Sequence, residues 1–120
     1  PGVKNSAGNL ALHIEGNLRE FVGRQLGGLP YQRNRDLEFS SSDGSREEIS
    51  ARLARLRESI PAVIEVLTPA QLEPEYPQVV LGAPMSTGEF LVHLYGHLNW
   101  HLGQVDYLRR LLVKDAGPIS

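Results

Sequence analysis

Three histidines, His93, His97 and His101, stand four residues apart inside one uninterrupted amphipathic stretch, Glu89–Val113. The spacing predicts one long helix that projects all three imidazoles from neighbouring turns. Side chains four apart on a helix have Cβ atoms roughly 5–6 Å apart, which lets two imidazole nitrogens reach one cation without bending the backbone. Eight apart is too far. At about 1.5 Å of rise per residue, His93 and His101 are separated by about 12 Å, so at most two of the three share a metal.

The helical wheel bears on which two. At about 100° per residue from His93, Phe90 and Leu108 fall at about 60°, Leu94 and Leu112 at about 100° and Val105 at about 120°. His97 at about 40° and His101 at about 80° share that apolar face, whereas His93 lies at its edge. Asn99, Asp106 and Arg110 take the opposite, solvated side. Two imidazoles aimed at a core cost free energy unless both ring nitrogens of each are satisfied, and a bound cation satisfies one nitrogen of each. The alternative is a pair of core histidines bonded to carbonyls or water.

A third ligand has one histidine left to come from, His13. It lies in a second helical segment, Asn9–Gly23, where Leu10, Ile14, Leu18 and Phe21 recur at helical spacing and Asn9, His13 and Asn17 form a polar row along the border of that face. Three neutral imidazoles from two packed helices would leave a fourth position open to water, the pattern of catalytic zinc sites. Asn9, Asn17, His93 and Gln104 are the candidates to hold the ligands' outer nitrogens, although interhelical hydrogen bonding accounts for the asparagines equally well.

The segments NSAGNLALHIEGNLREFVG (Asn5–Gly23), RNRDLEFS (Arg33–Ser40) and HLYGHLNWHLGQVDYLRRLL (His93–Leu112) resemble, in this order, the DinB-like superfamily, which also includes bacillithiol- and mycothiol-dependent enzymes. The resemblance implies an all-α four-helix bundle with a long crossover connection. It also implies a divalent metal, zinc or nickel, held by one histidine of the second helix and an H-x-x-x-H pair of the last, followed closely by Gly-Gln as in His101-Leu102-Gly103-Gln104. Carried onto this chain, the implied ligands are His13, His97 and His101, and His93 has no ligand role. The segment resembling the family's second helix begins almost at once after Pro1, so the first helix is expected to be missing. Either a preceding stretch of about 25–40 residues or a second subunit in a homodimer would then complete the bundle. Three helices alone would leave an apolar groove beside the metal.

Composition agrees with one small domain spanning 1–120. A chain of 120 residues, 41% hydrophobic and 22% charged, can bury one core but not two. Its 12 basic and 14 acidic side chains are interspersed and sum to −2, which gives no nucleic-acid footprint. Cysteine is absent, which removes disulfides, thiolate ligands and a cysteine nucleophile. There is no apolar run long enough to span a bilayer and no signal-peptide pattern, so no membrane association and a cytoplasmic location are expected.

Three long helices are expected, at about 6–27, 45–68 and 86–114. The first is capped by Asn5 or Ser6 and stopped by Gly27-Gly28. Leu29–Gly44 reads as a crossover with Tyr31, Leu37 and Phe39 turned inward; its Arg33, Arg35, Asp36 and Glu38 read as surface charge or the rim of a substrate mouth. The second helix opens on a capping box, Ser45 and Glu48, and buries Ile49, Leu53, Leu56, Ile60, Val63, Ile64 and Leu67, with a kink or break near Ser59 imposed by Pro61. Pro69–Met85, with four prolines, reads as a loop with a brief extended stretch at Gln78–Leu81. The last helix opens on Ser86 and Glu89 and closes at Gly117-Pro118.

These residues admit three functions. The first is a metal-dependent enzyme of the DinB-like type, for which the resemblance implies thiol-dependent transferase chemistry on a small-molecule substrate, with a low-molecular-weight thiol as co-substrate. No general base stands out: Glu15, Glu20 and Glu89 are near the histidines in sequence but read as surface carboxylates. The second is a non-catalytic metal-binding or interaction module. The third is a bundle whose histidines are polar core residues and bind no metal.

Overall fold

The computed structural model describes residues 6–34, 36 and 46–112, and these are helical apart from short connections. The long elements are α1 (Ala7–Leu18), α2 (Arg46–Glu65) and α4 (Thr87–Leu112), with a single turn, α3 (Pro69–Leu72), between the last two. The architecture is an all-α bundle in which α1 packs along both α2 and α4. No helix among the described residues is long and apolar enough to cross a membrane.

Ser6 starts α1, its hydroxyl accepting from the Asn9 amide at 3.0 Å and so satisfying one of the orphan donors of the first turn. The helix does not run regularly to Gly27. Arg19–Arg24 forms a π-helical turn in which the Gln25 amide reaches back five residues to the Glu20 carbonyl, and Gln25–Gly27 closes the element. Gly28 then stops it in the left-handed conformation at φ 66°, which glycine adopts without the backbone strain that a Cβ brings. Gly27 has a different reason to be glycine: a Cβ there would stand 2.5 Å from Val63 Cγ2, so the end of this element lies directly on α2.

The core joins Phe21 and Val22 after α1, Leu56, Ile60 and Val63 on α2, Tyr76 in the following connection, and Phe90 and Leu94 on α4. Phe21, Tyr76 and Phe90 form an aromatic cluster, Tyr76 stacked on Phe90 at 4.2 Å and Phe21 edge-on to Phe90 at 5.5 Å. The Tyr76 hydroxyl donates to the Phe21 carbonyl, so the phenol is buried with its polar end satisfied.

Several expectations need correction. α2 runs unbroken through Pro61 and ends at Glu65. Proline removes a donor to the Arg57 carbonyl, but both residues lie on the exposed face, where water can take its place. Ile64 is exposed, leaving a narrower buried stripe of Leu56, Ile60 and Val63. Pro69–Met85 is not wholly loop. Pro69 occupies the first turn of α3, where its fixed φ suits the helix, and Thr68 and Gln71 cap each other. The extended pairing joins Glu75 to Ser86, while Val79, Val80 and Leu81 of the expected stretch are exposed. Ser86 caps the last helix as expected, accepting from the Glu89 amide at 3.1 Å. Tyr31 is half-buried, with the Arg19 guanidinium 4.3 Å over its ring. Leu37, Phe39, Arg35, Glu38, Ser45 and the segment after Leu112 lie outside the described residues.

Several large apolar side chains of α4 are exposed among the described residues. Val92, Tyr95, Trp100, Tyr107, Leu111 and Leu112 are all more than half exposed, Trp100 at 70%. Leu112, expected in the buried face, belongs to this set.

Candidate metal centre

The α1–α4 contact sets His13 against His97 and His101. The row Leu10, Ile14 and Phe21 draws α1 into the core, and Phe90, Leu94 and Leu108 do the same for α4, so polar residues at the border of each stripe meet at the seam. His13 is buried at 4% exposure, and His97 and His101 are half-buried. His97 Nε2 lies 3.3 Å from His13 Nε2 and 3.1 Å from His101 Nε2. One ligand nitrogen from each of the three falls within 4.8 Å of the others. The ring planes meet edge to face, at 68° to 81°.

These separations fit a cation. Tetrahedral ligands at about 2.0–2.1 Å from zinc stand about 3.3 Å from one another. Two of the nitrogen pairs have that spacing already. Hydrogen bonding among three imidazoles alone is a poorer account, because His97 Nε2 carries one proton or one lone pair and yet faces two other ring nitrogens. His101 Nδ1 faces Gln104 Oε1 at 2.6 Å. A proton on Nδ1 donates to that oxygen and leaves Nε2 as a lone pair directed at the cluster, which is how an outer partner commonly fixes the tautomer of a metal-binding histidine.

The electrostatics favour neutral, metal-competent imidazoles at His97 and His101. Burial pushes His97 down to about 4, reinforced by the charges that His101, His13, His93 and Arg33 would place beside it. Burial also lowers His101, against the opposing hydrogen bond to Gln104.

The other sequence candidates are distributed unequally. Gln104 is at the centre through His101. His93 is exposed, its ring 5.9 Å from Phe90 and 6.4 Å from His97. Asn9 and Asn17 flank His13 by one turn on α1, and Asn17 is buried. The expectation for the carboxylates fails at two of three positions. Glu89 is exposed, but Glu15 and Glu20 are buried at 4% and 8%. Glu15 is paired with Arg52 Nε across the α1–α2 seam at 3.4 Å. Glu20 is clasped by Arg24, whose Nε donates to both carboxylate oxygens, and also accepts from Gln25. The Arg24 hydrogen bond holds the Glu20 carboxyl below its ordinary range. The four-residue Glu20–Arg24 spacing was the available signal for this pair; its burial was not readable without the π-helical turn.

The family model of the DinB superfamily matches residues 1–105, a span containing all three converging histidines and Gln104. Comparison with curated proteins and with solved structures gives no match. Fold, histidine geometry and this match agree, and the chain belongs to the DinB superfamily.

Proposed function

We propose that His13, His97 and His101 hold one divalent cation, zinc or nickel, and that the protein is a metal-dependent enzyme with thiol-dependent transferase chemistry. The convergence of the three nitrogens within 4.8 Å carries this reading. When bound, such a cation lowers the pKa of a thiol or water and so supplies a nucleophile at neutral pH. The chain's own part is to keep His97 and His101 neutral and to aim the imidazoles at one point. Burial does the first for His97, and Gln104 does the second for His101. Structural zinc sites usually close with a fourth protein ligand; the cluster among the described residues has three members, which supports an open position for a substrate atom. Glu15 and Glu20 are engaged by arginines, so neither is assigned as a general base.

The test is metal content followed by turnover. Protein purified without a nickel column is expected to carry about one equivalent of zinc or nickel per chain, and to consume an electrophile in the presence of a low-molecular-weight thiol. Metal without turnover across a thiol panel would favour a non-catalytic metal module instead. Absence of metal, with none taken up on dialysis, would overturn the reading altogether.

We further propose a homodimer. Leu91, Tyr95, Leu98, Leu102 and Val105 recur along α4 at alternating four- and three-residue steps, with Leu112 seven residues further on, a seam that a second copy of the same helix can meet. Sedimentation at micromolar concentration is expected to give twice the chain mass, and Leu102→Glu the monomer. A monomeric wild type would sink this assignment.

A further inference from the structure

The polar side chains buried among the described residues are His13, Glu15, Asn17, Glu20 and Thr87. Four of them have partners: His13 meets His97, Glu15 meets Arg52, Glu20 is held by Arg24, and the Thr87 hydroxyl donates to the Pro74 carbonyl. The carboxamide of Asn17, a residue 7% exposed, makes no hydrogen bond to any described residue, and its oxygen and nitrogen keep a small contact with solvent. Asn17 therefore holds no ligand's outer nitrogen, the role that its four-residue step from His13 suggests. A buried carboxamide without a protein partner weakens a fold, so its presence in an otherwise apolar row has a reason outside folding.

The place of Asn17 along the seam supplies that reason. α1 and α4 run antiparallel, because His13 faces His97 while Phe21, eight residues on, meets Phe90, seven residues back. Asn17 lies midway, about 6 Å along α1 from His13 and level with His93 and Leu94 of α4. On the wheel of α1 it stands at about 40° from His13, between His13 itself and Phe21 at about 80°, and both of those side chains reach α4. Asn17 thus faces α4 between the imidazoles and the aromatic cluster. At that level Leu94 is buried and apolar, and His93 is exposed with its ring near Phe90, which explains why the amide finds no partner. On the far side of the histidines the Gln104 oxygen is already taken by His101.

We propose that Asn17 is a substrate-positioning residue, whose carboxamide pairs with an uncharged amide of the small molecule bound at the histidines, a few ångströms from that molecule's metal-seeking atom. The inference rests on the metal assignment above. A carboxamide is neutral and offers both N–H donors and a carbonyl acceptor, so the group it complements is likewise neutral and has both. The substrate class added is thiols that carry an amide about one helical turn from the sulfur.

The test uses cobalt-loaded protein and two probes of matched length, N-acetylcysteamine, which has the amide, and pentanethiol, which lacks it, titrated while thiolate-to-cobalt absorption is followed. The ratio of the two dissociation constants is compared between the wild type and Asn17→Leu, so that the probes' own difference in hydrophobicity cancels. The ratio is expected to shift against the amide by about tenfold, and by no less than about threefold, the effect of losing one or two hydrogen bonds; Asn17→Ala should shift it in the same direction. Melting of the metal-free proteins gives a readout that a structural role moves the other way: Asn17→Leu should match or exceed the wild type, because a leucine in that row has no polar group to strand. A smaller shift, or a lower melting temperature in Asn17→Leu, would overturn the proposal while leaving the metal site standing. Cobalt lost from Asn17→Leu and Asn17→Ala but kept by the wild type would overturn it too, by making Asn17 a support of the metal. Failure of the wild type to bind cobalt would remove both readings.

Discussion

His97→Ala is expected to lower metal affinity by at least about 100-fold, beyond the 10–100-fold typical of removing an outer partner. His97 is the common neighbour: its Nε2 faces His13 and His101 at 3.3 and 3.1 Å, so its loss opens the cluster at the centre. His13→Ala and His101→Ala should be nearly as damaging, Gln104→Ala should cost about tenfold, and exposed His93 should matter least. Competition against a chromophoric chelator gives the ranking. Equal losses at His93 and His97 would refute the choice of ligands.

The same variant has a signature that needs no metal. His97 titrates at about 4 in the folded protein and near its ordinary 6.5 when unfolded, so between these values the unfolded chain takes up a proton that the folded one refuses. Stability of the metal-free protein is therefore full above about pH 6.5 and is lost as pH falls toward 4. Urea midpoints across that window should slope in the wild type and slope less in His97→Ala, where the lowered His101 still contributes. Metal should oppose the loss, adding about 2.7 kcal/mol at a concentration a hundred times Kd. A chelator that strips the metal without moving the melting temperature would count against coupling of the site to folding.

Much of this site was legible in the sequence because helices are periodic. Four-residue spacing put His97 and His101 together, and the apolar rows on each side said which faces of α1 and α4 would meet. What could not be read were features that depend on partners distant in the chain or on breaks in periodicity. Nothing in Arg19–Arg24 announces a five-residue hydrogen-bond step, yet that turn accompanies the burial of Glu20 and the exposure of the Phe21 carbonyl to Tyr76. Likewise Pro61 is a helix breaker by local rule and sits inside α2, because its missing bond falls on the solvent side. Leu112 shows the limit from the other direction. The wheel places it with Leu94, but it lies 72% exposed, since a face is buried only where another element reaches it.

Phe90→Ala is the second large effect, and it connects core to site. Phe90 is 1% exposed and touches Phe21 after α1, Tyr76 in the connection and His93 on its own helix. Truncation removes the ring's transfer free energy and leaves a cavity between three aromatic partners, at a cost of about 3–5 kcal/mol. That is a large fraction of the roughly 5–15 kcal/mol that holds a domain of this size together. Phe90→Leu, which fills most of the volume, should cost about 1–2 kcal/mol. Tyr76→Phe, which strands the Phe21 carbonyl but keeps the stack, should fall in the same range. The measurement is a denaturant series in which the midpoint moves with an unchanged slope. Metal affinity then distinguishes two roles for the aromatic cluster. Phe90 lies two turns before His97 on α4 and meets Phe21 in the π-helical turn that continues α1, eight residues beyond His13, so it sets the register in which the imidazoles face one another. If that register depends on Phe90, Phe90→Ala weakens metal binding even under conditions where it is fully folded, and Phe90→Leu does not. Unchanged affinity in folded Phe90→Ala would mean that the histidines and the bound cation hold the two helices in register by themselves.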